Sequence, residues 1–156
     1  WVDKCWLGTT PANVTDQDYI EAAIIKDAQI FELRSVGIDK LFQGQQLMLG
    51  LVDEGIECFP VGQSAAAQGP PTKELERKWA ARKIHHGGNP ILRWMADNCE
   101  VKEDADGKLK IVKPNTPMDP RKVDGMTALV SAIDRTTRYI TDGSVYDDPN
   151  YALVTA

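Results

Sequence analysis

Asp39 and Asp124 are the two carboxylates whose places in the chain suit chemistry. Asp39 closes a short run, Leu33-Arg34-Ser35-Val36-Gly37-Ile38, that reads as a strand, and in open α/β sheets ligands gather beyond the carboxyl ends of strands. Asp124 opens an amphipathic run in which Val123, Met126, Leu129, Val130 and Ile133 recur at spacings of three and four. A carboxylate at a helix start can cap backbone N–H groups and also reach toward a sheet. Taken singly, each aspartate is more simply read as a helix cap. As a pair they suit a hard cation such as Mg²⁺ or Mn²⁺, which requires oxygen ligands converging from separate elements.

A second group of residues carries the opposite charge. Lys73, Arg77, Lys78, Arg82 and Lys83 fall on one predicted helix, interrupted by Glu74 and Glu76. Such a face is either solvated or a phosphate contact. His85 and His86 are adjacent, so they lack the four-residue spacing of a helical metal pair and read as a solvent-facing corner, with a place near phosphate as the secondary reading for His86. No P-loop, no dinucleotide-binding glycine fingerprint and no nucleophile elbow occurs. A nucleotide-binding α/β domain is therefore disfavoured.

The elements that must position these residues follow from periodicity and punctuation. Residues 9–15 read as a loop, and Asp16 to Phe31 as a first helix, with Tyr19, Ala23, Ile24, Ala28 and Phe31 near helical spacing. The strand ending at Asp39 follows, then a helix from Leu41 to Val52 ending at Gly55, then a strand from Ile56 to Val61. Helix, strand, helix, strand is the grammar of a partly parallel α/β sheet. The stretch 62–69 (GQSAAAQG) predicts a mobile loop, Pro70-Pro71 the start of a helix over 72–83, and Pro90 the start of another. Glu100 to Val112 predicts a hairpin around Asp106-Gly107. A Pro-rich stretch over 114–120 leads to the last helix, and residues 141–156 read as a weakly ordered tail.

Composition sets outer bounds. The 156 residues are 42% hydrophobic and 26% charged, which fits one domain with a real core. The chain begins at Trp1 with no basic-then-apolar leader and no apolar run of membrane-spanning length, so it is expected to be soluble and a piece of something larger. Cys5, Cys58 and Cys99 are odd in number and far apart, which suggests neither a disulfide framework nor a zinc knuckle and fits a reducing cytoplasm. The net charge of -5 excludes a protein that coats nucleic acid by bulk charge, but not a nuclease, whose acids gather at metals and whose bases gather along phosphates.

The segments from Gly69-Pro70-Pro71-Thr72-Lys73 through His86-Gly87-Gly88-Asn89-Pro90-Ile91-Leu92-Arg93-Trp94-Met95 to Lys122-Val123-Asp124-Gly125 resemble, in order, the nuclease domain of tailed-phage terminase large subunits, over Trp1 to about Arg138. The resemblance implies an α/β, ribonuclease H-like fold, a mixed sheet flanked by helices, here incomplete and lacking its N-terminal strands. The nuclease unit would occupy residues 1–140. Three acids would hold two divalent metals, Mg²⁺ or Mn²⁺, that hydrolyse the phosphodiester backbone. Asp39 matches the second of them and Asp124 the third. At the second acid the family commonly has a Tyr-Asp-Pro-Trp-like run, whereas here Ile38-Asp39-Lys40-Leu41 stands. The first acid belongs to strands that precede everything in this chain, so the chain alone is expected to cut DNA poorly or not at all. Lys73, Arg77, Arg82, Lys83 and His86 are the candidate DNA contacts. By the same resemblance the parent protein carries an N-terminal ATPase domain, acts in the host cytoplasm without a membrane, cuts concatemeric double-stranded DNA during genome packaging, and meets the portal protein and the small terminase subunit. The alternative is a non-catalytic remnant, an interaction module of the packaging motor.

Overall fold

The computed structural model describes residues 1–10, 16–39, 44–113 and 119–138. The predicted tail over 141–156, the start of the second helix at Leu41 and most of the Pro-rich stretch lie outside the described residues.

A short 3₁₀ turn, Val2–Lys4, precedes α1 (Gln17–Ile30), β1 (Val36–Asp39), α2 (Gly44–Asp53) and β2 (Cys58–Val61). Then come α3 (Ala65–Ala80), α4 (Pro90–Asp97), β3 (Glu100–Glu103), β4 (Leu109–Val112) and α5 (Asp124–Arg138). Asp16 caps α1, accepting hydrogen bonds from the Asp18 and Tyr19 amides. β1 and β2 pair in parallel with Asp39 opposite Val61, as the helical crossover between them requires. β3 and β4 form the expected antiparallel hairpin, turned at Gly107, whose φ of 74° suits glycine. Parallel and antiparallel pairing thus occur in two separate two-stranded sheets among the described residues.

The third helix departs from expectation. It begins at Ala65 rather than at residue 72, so the predicted loop over 62–69 is largely helix and Pro70 and Pro71 lie inside it. Three forces outweigh the amide bonds that the two prolines forfeit. Ser64 caps the helix by accepting the Ala67 amide at 3.2 Å. Ala65-Ala66-Ala67 has the highest helix propensity available. Gln68, Gly69, Pro71 and Thr72 are buried, and Gly69 lets the helix approach β4 so closely that a Cβ would stand 3.3 Å from that of Lys108. The helix also ends sooner, at Ala80, followed by Arg82 in a left-handed turn with φ 54°. The five bases are therefore not on one helix: Lys73, Arg77 and Lys78 are on α3, while Arg82 and Lys83 follow it.

The Gly-Gly-Asn-Pro run before α4 has a direct physical reading. Gly87 and Gly88 take φ of 60° and 71°, Asn89 accepts the Ile91 and Leu92 amides at 2.9 and 3.0 Å, and Pro90 occupies the first helical turn where its missing N–H costs nothing. The main core joins Leu75 of α3, Ile111 of β4, and Val123, Met126, Val130 and Ile133 leading into and along α5, with Leu92 and Met95 of α4 against it. α5 is thus the central helix, buried on one stripe against α3 and α4.

Candidate metal centre

Asp39 is the last residue of β1 and is half-buried. Pairing with β2 fixes its backbone, and the first residue of α2 packs directly upon it: a Cβ on Gly44 would stand 1.7 Å from the Asp39 carbonyl oxygen. Asp124 is the first residue of α5 and is exposed, with the Val123 carbonyl accepting the opening amides of that helix, from Met126 and Thr127, at 2.9 and 3.0 Å.

α5 packs against β1. Arg135, near its end, donates from Nε to Ser35 Oγ at 3.2 Å, just before the strand begins. Its guanidinium carbon sits 3.5 Å above the Phe59 ring of β2. Asp39 shares the lining of a groove of ≈ 680 Å³ with residues along both elements, among them Ser35, Gly37, Thr127, Ala128, Ser131 and Arg135. Thr127 and Ala128 stand three and four residues after Asp124, one turn along the same helix. Asp124 lies about one helical turn from Thr127 and Ala128, which line that groove. Asp124 itself does not line that groove.

Among the described residues no three His, Cys, Asp or Glu side chains gather as a metal-binding group. The donor chemistry of the pair nevertheless fits a hard cation, since carboxylate oxygens are what Mg²⁺ and Mn²⁺ take. Two of them would supply only part of a coordination shell.

The basic residues are differently placed. Arg77 donates from Nε and Nη2 to the Glu74 carboxylate, both at 2.7 Å, and Lys78 Nζ lies 3.4 Å from the same group. Hydrogen bonding to Arg77, ahead of the charges of Arg77 and Lys78, pulls the Glu74 carboxyl down to about 2 and pushes the Arg77 guanidinium up. Lys73, Arg82 and Lys83 are exposed. His86 is half-buried and stacks on Trp79, rings 5.8 Å apart and 8° from parallel, so only His85 is the exposed corner expected of both. Burial pushes the Cys58 and Cys99 thiols up.

Contacts that no local pattern signalled surround the start of α5. Asn98, buried, donates from Nδ2 to the Lys122 carbonyl at 3.0 Å, and the Gly125 amide donates to Met95 Sδ at 3.1 Å. Both partners come from the end of α4.

A parallel strand pair and an antiparallel hairpin packed about a central helix define a domain of the α/β class. Residues 1–139 match the model of the terminase large subunit, endonuclease domain, and the chain belongs to that family. It is 29% identical over 147 residues to Protein YmfN of Escherichia coli (strain K12), covering 94% of this chain and 32% of that protein. It is 28% identical over 153 residues to the terminase, large subunit, of Enterobacteria phage HK97, covering 95% and 29% respectively. The crystal structure of the HK97 bacteriophage large terminase superposes with a TM-score of 0.74 at 26% identity, over 86% of this chain and 28% of that one. The fold is of the ribonuclease H-like α/β class. The chain spans about a third of the length of the curated relatives that it matches.

Proposed function

We propose that this chain is the nuclease portion of a longer terminase large subunit, and that Asp39 and Asp124 are metal ligands with which that protein cuts concatemeric double-stranded viral DNA during packaging. The observation that carries the reading is the family match over residues 1–139, in a chain where Asp39 ends β1, Asp124 opens α5, and α5 packs on β1. When bound at these acids, two Mg²⁺ or Mn²⁺ ions would supply Lewis acidity for phosphodiester hydrolysis. Asp39 would hold one side of that pair from a backbone pinned by β2 and α2. Asp124 would hold the other from the first turn of a helix anchored in the core. Two carboxylates are too few for such a centre, so a further acid from the longer protein completes it, and residues 1–140 alone cleave poorly or not at all. Lys73, Arg82 and Lys83 would meet DNA phosphates, with His86 beside them, while Arg77 contributes less because Glu74 already takes two of its donors. In the host cytoplasm the whole protein would work with its own ATPase domain, the portal protein and the small terminase subunit.

Plasmid nicking by the full-length gene product in Mn²⁺ tests this. Asp39→Asn and Asp124→Asn should each cut the rate by more than about a hundredfold, beyond the range typical of an outer-shell change. Full nicking by both variants would remove the site. A full-length protein that binds DNA but never nicks it would leave the interaction-module alternative standing.

A further inference from the structure

We infer that α4 is a clamp on the first turn of α5, and that Asn98 and Met95 are positioning residues for Asp124. The inference rests on the reading of Asp124 as a metal ligand. Asn98 is 6% exposed, and its amide nitrogen reaches across 24 residues of sequence to the Lys122 carbonyl at 3.0 Å. Met95, one turn earlier on the same helix, takes the Gly125 amide on its sulfur at 3.1 Å. The backbone is thus held two residues before Asp124 and one residue after it. Between the two holds, Val123 is buried in the main core, with Met95 packed against that same cluster.

Gly125 makes the grip possible by its size. No left-handed backbone is involved; a Cβ there would lie 2.8 Å from Met95 Sδ and 3.6 Å from Leu92 Cδ1. A larger residue would push the Met95 sulfur aside and so break its contact with the Gly125 amide. A metal ligand must sit within a few tenths of an ångström of its working place, and side chains behind the ligands set that place. Here the supporting groups act on the main chain on either side of the acid, leaving the exposed carboxylate available.

The test is Mn²⁺ binding by the full-length protein, with free Mn²⁺ read by electron paramagnetic resonance well below each variant's unfolding midpoint. Asp124→Asn should abolish the binding that depends on this acid. Asn98→Ala and Gly125→Ala should weaken it about tenfold or more, and Met95→Leu, which keeps the volume and removes the sulfur acceptor, should weaken it less. A merely structural role would lower the unfolding midpoint and leave the Kd of the folded protein unchanged. If Asp124→Asn loses binding while Asn98→Ala, Gly125→Ala and Met95→Leu keep the parent Kd, the clamp is overturned and the metal reading stands. If Asp124→Asn binds like the parent, the metal reading falls, and the clamp's purpose with it. Should Gly125→Ala fail to fold, Asn98→Ala and Met95→Leu decide.

Discussion

At Gly44 and Gly50, two glycines of α2, a methyl group would have opposite consequences. On Gly44 it would stand 1.7 Å from the Asp39 carbonyl oxygen, a backbone atom that cannot yield without moving the end of β1. On Gly50 it would meet Glu21 Oε2 at 2.2 Å, the tip of a side chain free to swing aside. Gly44→Ala should therefore destabilise by about 1–3 kcal/mol, as forced overpacking does, and displace Asp39. Gly50→Ala should be neutral or stabilising by about 0.5–1 kcal/mol, because alanine favours a helix interior. Urea unfolding of both variants checks this, and equal midpoints would remove the close approach at Asp39. The same scale explains what the sequence hid. That Asp39 ends a strand and Asp124 opens a helix was legible because each element has a clear local period. Asn98, Met95 and Gly125 were not, because their contacts span 24 and 30 residues and no spacing rule links them.

Among the elements, α3 shows how tertiary burial overrides punctuation. Pro70-Pro71 would mark a helix start in isolation, yet the alanine run, the Ser64 cap and the packing of Gly69 on β4 extend the helix upstream. By contrast α1, α4, the hairpin and α5 follow their signals closely, since caps and turns there are local: Asp16, Asn89 with Pro90, and Gly107. The exposed face of α3 supports a pH prediction. Glu74 is ordinarily a carboxyl of 4.5 and falls to about 2 through Arg77, then Lys78. A depressed folded value means stabilisation that is fully present above 4.5 and lost as the pH falls through about 2. Acid unfolding of the parent should show that loss in this window, and Glu74→Gln should be flatter across it. The contribution is modest because the pair is on the surface. An identical slope for Glu74→Gln would show that Arg77 is not held by Glu74, which would return it to the set of bases available to DNA.

Across the whole molecule, burial is uneven. The main core belongs to α3, β4 and α5, whereas α1 has no buried residue and α2 contributes Leu51 alone. Among the described residues, all the large exposed apolar side chains except Trp79 and Val101 lie before residue 53, Ile30 and Phe31 among them at 64% exposure. Local opening costs least where few apolar contacts are broken, so the amides of α1 should exchange fastest among the helices of more than one turn. Those near Val130 and Ile133 in α5 and Leu75 in α3 should exchange slowest, by opening that approaches global unfolding. Asp124 then sits in the first turn of the most protected helix, and Asp39 on the strand joining α5 to the less protected half. Hydrogen–deuterium exchange of the chain, resolved by peptide, decides this. Protection of 17–30 equal to that of 124–138 would mean that α1 is anchored by contacts absent from its buried surface, and the division of the core at β1 would be wrong.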